Sequence, residues 1–264
     1  MSTSPDYFSK YPNLSFSRED ETGILEVRMH TENGPCVFNS RLQADLVDAL
    51  HYITCDRDNR VVIWTGTGEV WMDGPDFASF GDVSDPNVWD RVYTNERRLL
   101  INMLEVDMPV ISAVNGPVAL HSELILTMDI VVASDTTWFQ DYPHLTFGIV
   151  PGDGMQILWA EALGSSRARY FLWMQEKLSA TEAKTLGVVH EIHQQAAVLP
   201  RAWDIARQLA KQPTLNLRYT RQALTHRLKR LVHEGIGYGL ALEGLTAANA
   251  ARTASSREES RSPG

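Results

Sequence analysis

The sequence predicts an α/β fold, strands layered with helices, and three observations carry that expectation. Short apolar or β-branched runs at residues 23–29, 60–65, 109–114 and 129–133 read as buried strands. Longer stretches of helical period separate them, which suits repeated ββα or βα units. Beyond Pro151 the strand signals nearly vanish and helical patterns take over.

Taken in chain order, residues 42–53 place Leu42, Leu46, Leu50 and Ile53 at i, i+4, i+8 and i+11, one face of a helix. Residues 88–104 repeat the pattern. Two later segments, 114–123 and 143–154, gather glycine, proline and ionisable side chains between a strand and a helix. Such turns present backbone N–H groups and a positive helix end to a ligand. Helices then follow at 155–163, 167–174, 181–186 and 199–211. The last helix starts after Pro213 and shows Leu217, Leu224, Leu228 and Leu231 on one stripe. Gly235, Gly237 and Gly239 are expected to bend or break it before 240–251 resumes. The chain divides into an α/β core over 1–200, a C-terminal helical region over 201–254 and a disordered Ser/Arg/Glu-rich tail over 255–264.

With 264 residues, 44% hydrophobic and 22% charged, the chain can bury a substantial core. Its net charge of −9 offers no footprint for nucleic acid or an anionic membrane surface. Cys36 and Cys55 have no metal or redox spacing and read as reduced core thiols. Residues 1–13 lack the basic and apolar regions of a signal peptide, and no apolar run reaches membrane-span length. A cytoplasmic enzyme for a small neutral or ketonic molecule is the expectation.

Local readings alone leave the chemistry open. A loop histidine such as His144 can be a hydrogen-bonded structural residue. Asp153, between two glycines before a helical run, would serve as an N-cap, and His121 and Ser122 could cap the stretch that follows them.

Motif context narrows this. The run Ser112-Ala-Val-Asn-Gly-Pro through Glu123, the strand Asp129-Ile-Val-Val-Ala-Ser, and Phe139-Gln-Asp-Tyr-Pro-His144 through Gly148-Ile-Val-Pro-Gly-Asp153-Gly stand in order with an earlier block at Val61–Gly66, Gly74 and Asp76. Together they resemble the crotonase superfamily, over about residues 15 to 250. The resemblance implies a spiral of ββα units with a C-terminal helical region, and a homotrimer or dimer of trimers.

The departures from that pattern are specific. His144 stands where hydratases of the family carry a catalytic Glu. Leu120-His121-Ser122 replaces glycines of the second oxyanion loop. At the first oxyanion loop the expected backbone donor is Pro75, which has no N–H, and a lysine that often helps hold coenzyme A is missing. These features resemble the β-diketone hydrolase branch, typified by 6-oxocamphor hydrolase, which cleaves cyclic 1,3-diketones without a cofactor or metal. By that resemblance His144 and Asp153 form a base dyad, with His144 neutral and Asp153 fixing its tautomer. His121 would bind a carbonyl, and Glu243 would orient His121 or donate to the second carbonyl. Phe38, Trp71, Phe77, Phe80 and Leu120 would line the pocket. Phe38 and Gln43 replace a Trp and a His of that branch. Two other readings stay open: a coenzyme A-dependent hydratase or isomerase using Glu123, and a non-catalytic scaffold or RNA-binding member.

Overall fold

A computed structural model describes residues 5–259, and side chains through residue 253. The strands are β1 (Leu14–Glu19), β2 (Ile24–Met29), β3 (Val37–Phe38), β4 (Val61–Thr65), β5 (Gly74–Pro75), β6 (Val110–Val114), β7 (Ile130–Ser134), β8 (Trp138–Phe139), β9 (Leu178–Ser179) and β10 (Glu191–His193). The helices are α1 (Ser40–Cys55), α2 (Pro86–Glu105), α3 (Pro143–Thr146), α4 (Met155–Leu163), α5 (Ser165–Trp173), α6 (Ala180–Thr185), α7 (Gln195–Leu209) and α8 (Thr214–Glu259).

The main sheet runs β1-β2-β4-β6-β7-β10, with β1 antiparallel to β2 and the rest parallel. Because helices cover both faces, β4 and β6 are buried throughout, as the continuous apolar runs required. Side-chain alternation sorts the two layers. Leu25, Val27, Val62, Trp64, Val110 and Val114 face the larger core with α1, α2 and α4. Ile24, Val61, Ile63, Ile111, Ala113 and Val132 face Val198, Ala202, Ile205 and Ala206 of α7. A second, broken ladder accompanies the sheet: β3 on β5, then the bridges Met72 to Val118 and Val118 to Phe139. Each successive unit thus adds one long and one short strand, the spiral of ββα units that the resemblance implied.

The sequence reading located the central strands to within a residue but passed over β1 and β10. β1 is a sheet-edge strand with polar side chains, and β10 has only three residues. The boundary drawn at residue 200 falls inside α7, whose residues on both sides of it pack against the sheet, so the core extends through Leu209. Of the expected disordered tail over 255–264, residues 255–259 continue α8 and 260–264 lie outside the described residues. Cys36 is buried as expected, but Cys55 at the end of α1 is exposed.

α8 departs most from expectation. It is one uninterrupted helix, because its glycines admit neighbours where the sequence suggested breaks. A Cβ on Gly239 would lie 2.3 Å from the Gly152 carbonyl oxygen, and one on Gly152 would lie 2.2 Å from that of Gly239. A Cβ on Gly244 would meet the indole of Trp89 at 2.2 Å. The leucine series is buried only in part: Leu217 is in the core and Leu228 packs against it, but Leu224 is 72% exposed. The rest of the stripe that α8 buries is Arg218, Arg221, Thr225, Val232, Ile236, Leu240 and Ala247. Arg221 donates to Asp129 Oδ2 at 2.7 Å and to the carbonyls of Val106, Leu104 and Thr127. Arg218 bonds Asp107 and donates to the Asn59 carbonyl at 2.8 Å. A hydrophobic-period reading cannot see arginines used in this way.

Candidate active site

α8 crosses the Pro151–Gly154 turn at the Gly152/Gly239 contact, and Thr246 Oγ1 accepts a hydrogen bond from the Val150 N–H at 3.0 Å. This close crossing carries Glu243 to the site, where its Oε1 lies 3.9 Å from His144 Nε2. Pro143 starts the short α3 and leaves His144 in its first turn, buried. His121 ends the loop after β6 with φ +49°, a left-handed backbone that glycine adopts more readily than histidine. Its ring is held by Phe38, with centroids 4.0 Å apart, and by Glu123, whose Oε1 is 2.9 Å from Nδ1. Such strain persists only where the surroundings over-determine the conformation.

Asp153 lies between the two imidazoles. Its Oδ2 is 3.5 Å from His121 Nδ1 and 3.6 Å from His144 Nε2. The structure therefore brings His121, His144, Asp153 and Glu243 together as the sequence anticipated, but reassigns two partnerships. The atom that accepts from His144 Nδ1 is Asp141 Oδ1, at 2.6 Å, so Asp141 rather than Asp153 fixes that ring's orientation. Likewise Glu123, not Glu243, orients His121. Asp141 stands three residues before His144, a spacing that would have flagged it once α3 was recognised as a helical turn.

These side chains face an apolar cavity of about 380 Å³. Phe38, Phe77, Phe80 and Leu120 line it as expected, and Trp89, Val92 and Phe147 join them. Trp71 does not. It is fully buried in the core, its backbone N–H bonded to the Pro117 carbonyl and its backbone pressed against Gly66. Pro75 lies on the cavity wall without a donor, and the next N–H, of Asp76, is spent on the Phe38 carbonyl at 2.8 Å. Glu96 of α2 also lines the cavity and was missed; it falls four and seven residues before Leu100 and Met103 on the buried stripe of that helix.

Burial and mutual charge set the protonation of the cluster. Burial disfavours the His121 imidazolium, but Glu123, Glu96 and Asp153 outweigh it and push the group up to about 10. For His144 burial is again overcome, by Asp153 and Asp141, and that ring too is pushed up to about 10. The expectation of a neutral His144 near pH 7 is therefore reversed: the carboxylates keep both rings charged. Burial and Asp153 push Glu123 up to about 7 and hold Glu243 well above the usual carboxylate range, and burial raises Glu96. The site thus pairs cationic imidazoles with carboxyls, several of them able to donate as neutral acids. Among the described residues, His121/Glu123/Asp153 and His144/Asp153/Glu243 are trios whose donor atoms stand close enough, within 4.8 Å, to hold a divalent ion.

A ββα spiral with two buried acid/base residues after its fourth and fifth long strands, β6 and β7, defines a class of enzyme, and the chain belongs to the enoyl-CoA hydratase/isomerase family, whose sequence model matches residues 19–258. It is 30% identical to a probable peroxisomal enoyl-CoA hydratase of Arabidopsis thaliana over 88% of this chain and 84% of that one. Among solved structures it is similar to a β-diketone hydrolase from the cyanobacterium Anabaena sp. PCC 7120, bound to (S)-3-oxocyclohexyl acetic acid. That likeness has 60% identity and a TM-score of 0.92, covering 94% of this chain and 99% of the other. An enoyl-CoA hydratase/isomerase from Mycobacterium paratuberculosis shares the fold, with a TM-score of 0.84 at 22% identity, over 92% of this chain and 98% of that one.

Proposed function

We propose that the protein hydrolyses a carbon–carbon bond of a cyclic or bicyclic β-diketone by a retro-Claisen reaction, without coenzyme A. The observation that carries this reading is Asp153 placed between two cationic imidazoles at an apolar cavity. A diketone has two oxygens to be polarised and needs water delivered to one carbonyl carbon. The ligand of the cyanobacterial relative supports the same chemistry. Joining its carboxyl carbon to the ring carbon on the far side of the ketone regenerates bicyclo[2.2.2]octane-2,6-dione, so it has the constitution of a retro-Claisen product.

In the proposed reaction Asp153 accepts a proton from water as the oxygen attacks one carbonyl. His121 donates to the oxyanion that forms, a preorganised donor where Pro75 has removed a backbone one. Collapse breaks the bond to the carbon between the carbonyls and leaves an enolate. His144 gives its proton to that carbon, and Asp153 returns the water-derived proton across the 3.6 Å contact to Nε2. Water is thus divided between the new carboxyl group and the new C–H bond. Glu243, as a neutral acid, donates to the second carbonyl.

Glu123, on which a hydratase would depend, is engaged by His121 and is not on the cavity wall. The test is direct. Purified protein with bicyclo[2.2.2]octane-2,6-dione should release acid in a pH-stat while leaving crotonyl-CoA unhydrated. Robust hydration of the thioester with no acid from the dione would sink the assignment.

A further inference from the structure

Glu96 has no part in the reaction as drawn so far, yet it is a carboxyl group on the wall of the reactive cavity. It projects from α2, an element otherwise committed to core packing. Charged residues on such a stripe are rare unless paired, because burying a lone carboxylate is costly. No cation pairs with Glu96 through an ion pair among the described residues. Its partner is the buried amide of Gln43, whose Nε2 donates to Oε1 at 2.5 Å. Oε2 has no hydrogen-bond partner among the described residues and is not sealed away from the cavity as the free oxygens of Glu123 and Glu243 are. One oxygen of Glu96 is thereby fixed as an acceptor, which leaves the other as the position for a proton. The strongest charges acting on Glu96 are His121 and Asp153, so it belongs to the same cluster.

We propose that Glu96, held by Gln43, is a further catalytic residue: a neutral carboxylic acid whose O–H is the second donor, beside His121, to the oxyanion of the attacked carbonyl. This rests on the diketone-hydrolase reading. An oxyanion site with two donors loses one when the backbone donor is Pro75, and that residue and Glu96 line one cavity. A carboxylic acid suits the task because it donates strongly and, kept in a dry site, carries no charge to repel the oxyanion. Gln43 is then a positioning residue, directing the proton to Oε2.

Leucine at the position removes the donor and keeps the volume, so Glu96→Leu should lower kcat on bicyclo[2.2.2]octane-2,6-dione by about 10²-fold. Glu96→Gln retains an N–H donor and no ionisable group. It should lower kcat by only about threefold and leave KM nearly unchanged. Gln43→Met, which touches the acid and not the cavity, should fall between them. Thermal melts report folding, and if Glu96→Leu does not fold, the Gln variant decides. A Glu96→Gln enzyme at about a hundredth of wild-type kcat would show that the carboxylate form is needed, and a folded Glu96→Leu enzyme within twofold of wild type would show that Glu96 touches no reacting atom. Either result overturns the proposal. If wild type itself releases no acid, the hydrolase reading falls whatever Glu96 does; if wild type turns over and Glu96→Leu matches it, only this proposal falls.

Discussion

Each imidazole of the site has one nitrogen on a carboxylate, His121 on Glu123 and His144 on Asp141, and both share Asp153. These carboxylates, on opposite nitrogens of His144 and both at Nδ1 of His121, keep the rings charged, so the sign of the pH dependence follows from their role. If the imidazoliums act as donors, kcat/KM should be level from about pH 7 to 9 and fall as pH rises through about 10, where both rings lose their protons. A neutral histidine acting as base would give the opposite, a rate rising toward that same value. A pH profile on one cyclic diketone separates the two. Removal of the His121 donor in His121→Ala should cost roughly 10²- to 10³-fold in kcat. His144 and Asp153 exchange a proton, so His144→Ala and Asp153→Asn should each lose ~10²–10⁴-fold and the double variant little more than the worse single one. Fully multiplicative losses in that cycle would show that the residues work independently. Asp141→Asn, which frees the His144 ring while leaving its neighbours in place, should lower kcat more than it raises KM.

Among the elements, α8 decides whether the site is complete, because Glu243 reaches the cavity only through the glycine crossing beneath it. Alanine at Gly239 would favour the helix by about 1 kcal/mol intrinsically. It would also drive a methyl group within 2.3 Å of backbone, an overpacking cost of about 1–3 kcal/mol or more. The clash wins, so Gly239→Ala should lower the melting temperature and reduce activity together. Gly235→Ala meets only the flexible end of Ile157, at 2.9 Å, and should come out near neutral. Calorimetry on the two variants checks the contrast; equal melting temperatures would mean the crossing is not close-packed. Arg221, whose side chain is 1% exposed, ties α8 to Asp129 and to carbonyls at the end of α2. Its replacement by Met leaves those acceptors unpaired and should cost about 3–5 kcal/mol, visible as a lower midpoint in urea.

At the scale of the whole molecule, the outer face of α8 is conspicuous for what it leaves uncovered: Tyr219, Leu224, Tyr238 and Leu245 are each 68% exposed or more. Apolar side chains along so long a helix are costly to leave in water. They support the proposal that copies of the chain associate as a trimer or a dimer of trimers. Light scattering on the eluting protein should give three or six times the 29.6 kDa chain mass; a monomer at micromolar concentration would refute it. No described helix is long and apolar enough to cross a membrane.

Local chemistry in the sequence was enough to determine the central strands of the parallel sheet, most of the helices and the loops that hold His121, His144 and Asp153. Apolar period and the refusal of Pro75 to donate are properties of a residue and its near neighbours. What touches what across the chain was decided only by the folded structure. Asp141 displaced Asp153 as the partner of His144, Glu123 displaced Glu243 beside His121, and Trp71 went to the core while Trp89 came to the cavity. The glycines of α8 look like breaks in one dimension because a missing Cβ lowers helix propensity. In three dimensions the same missing Cβ admits the backbone of Gly152, and that gain from close contact keeps the helix whole. Charge followed the same division: a histidine by itself is a neutral base near pH 7, and it took Asp153 between the rings, with Asp141 beside His144 and Glu123 beside His121, to make these two imidazoles cationic.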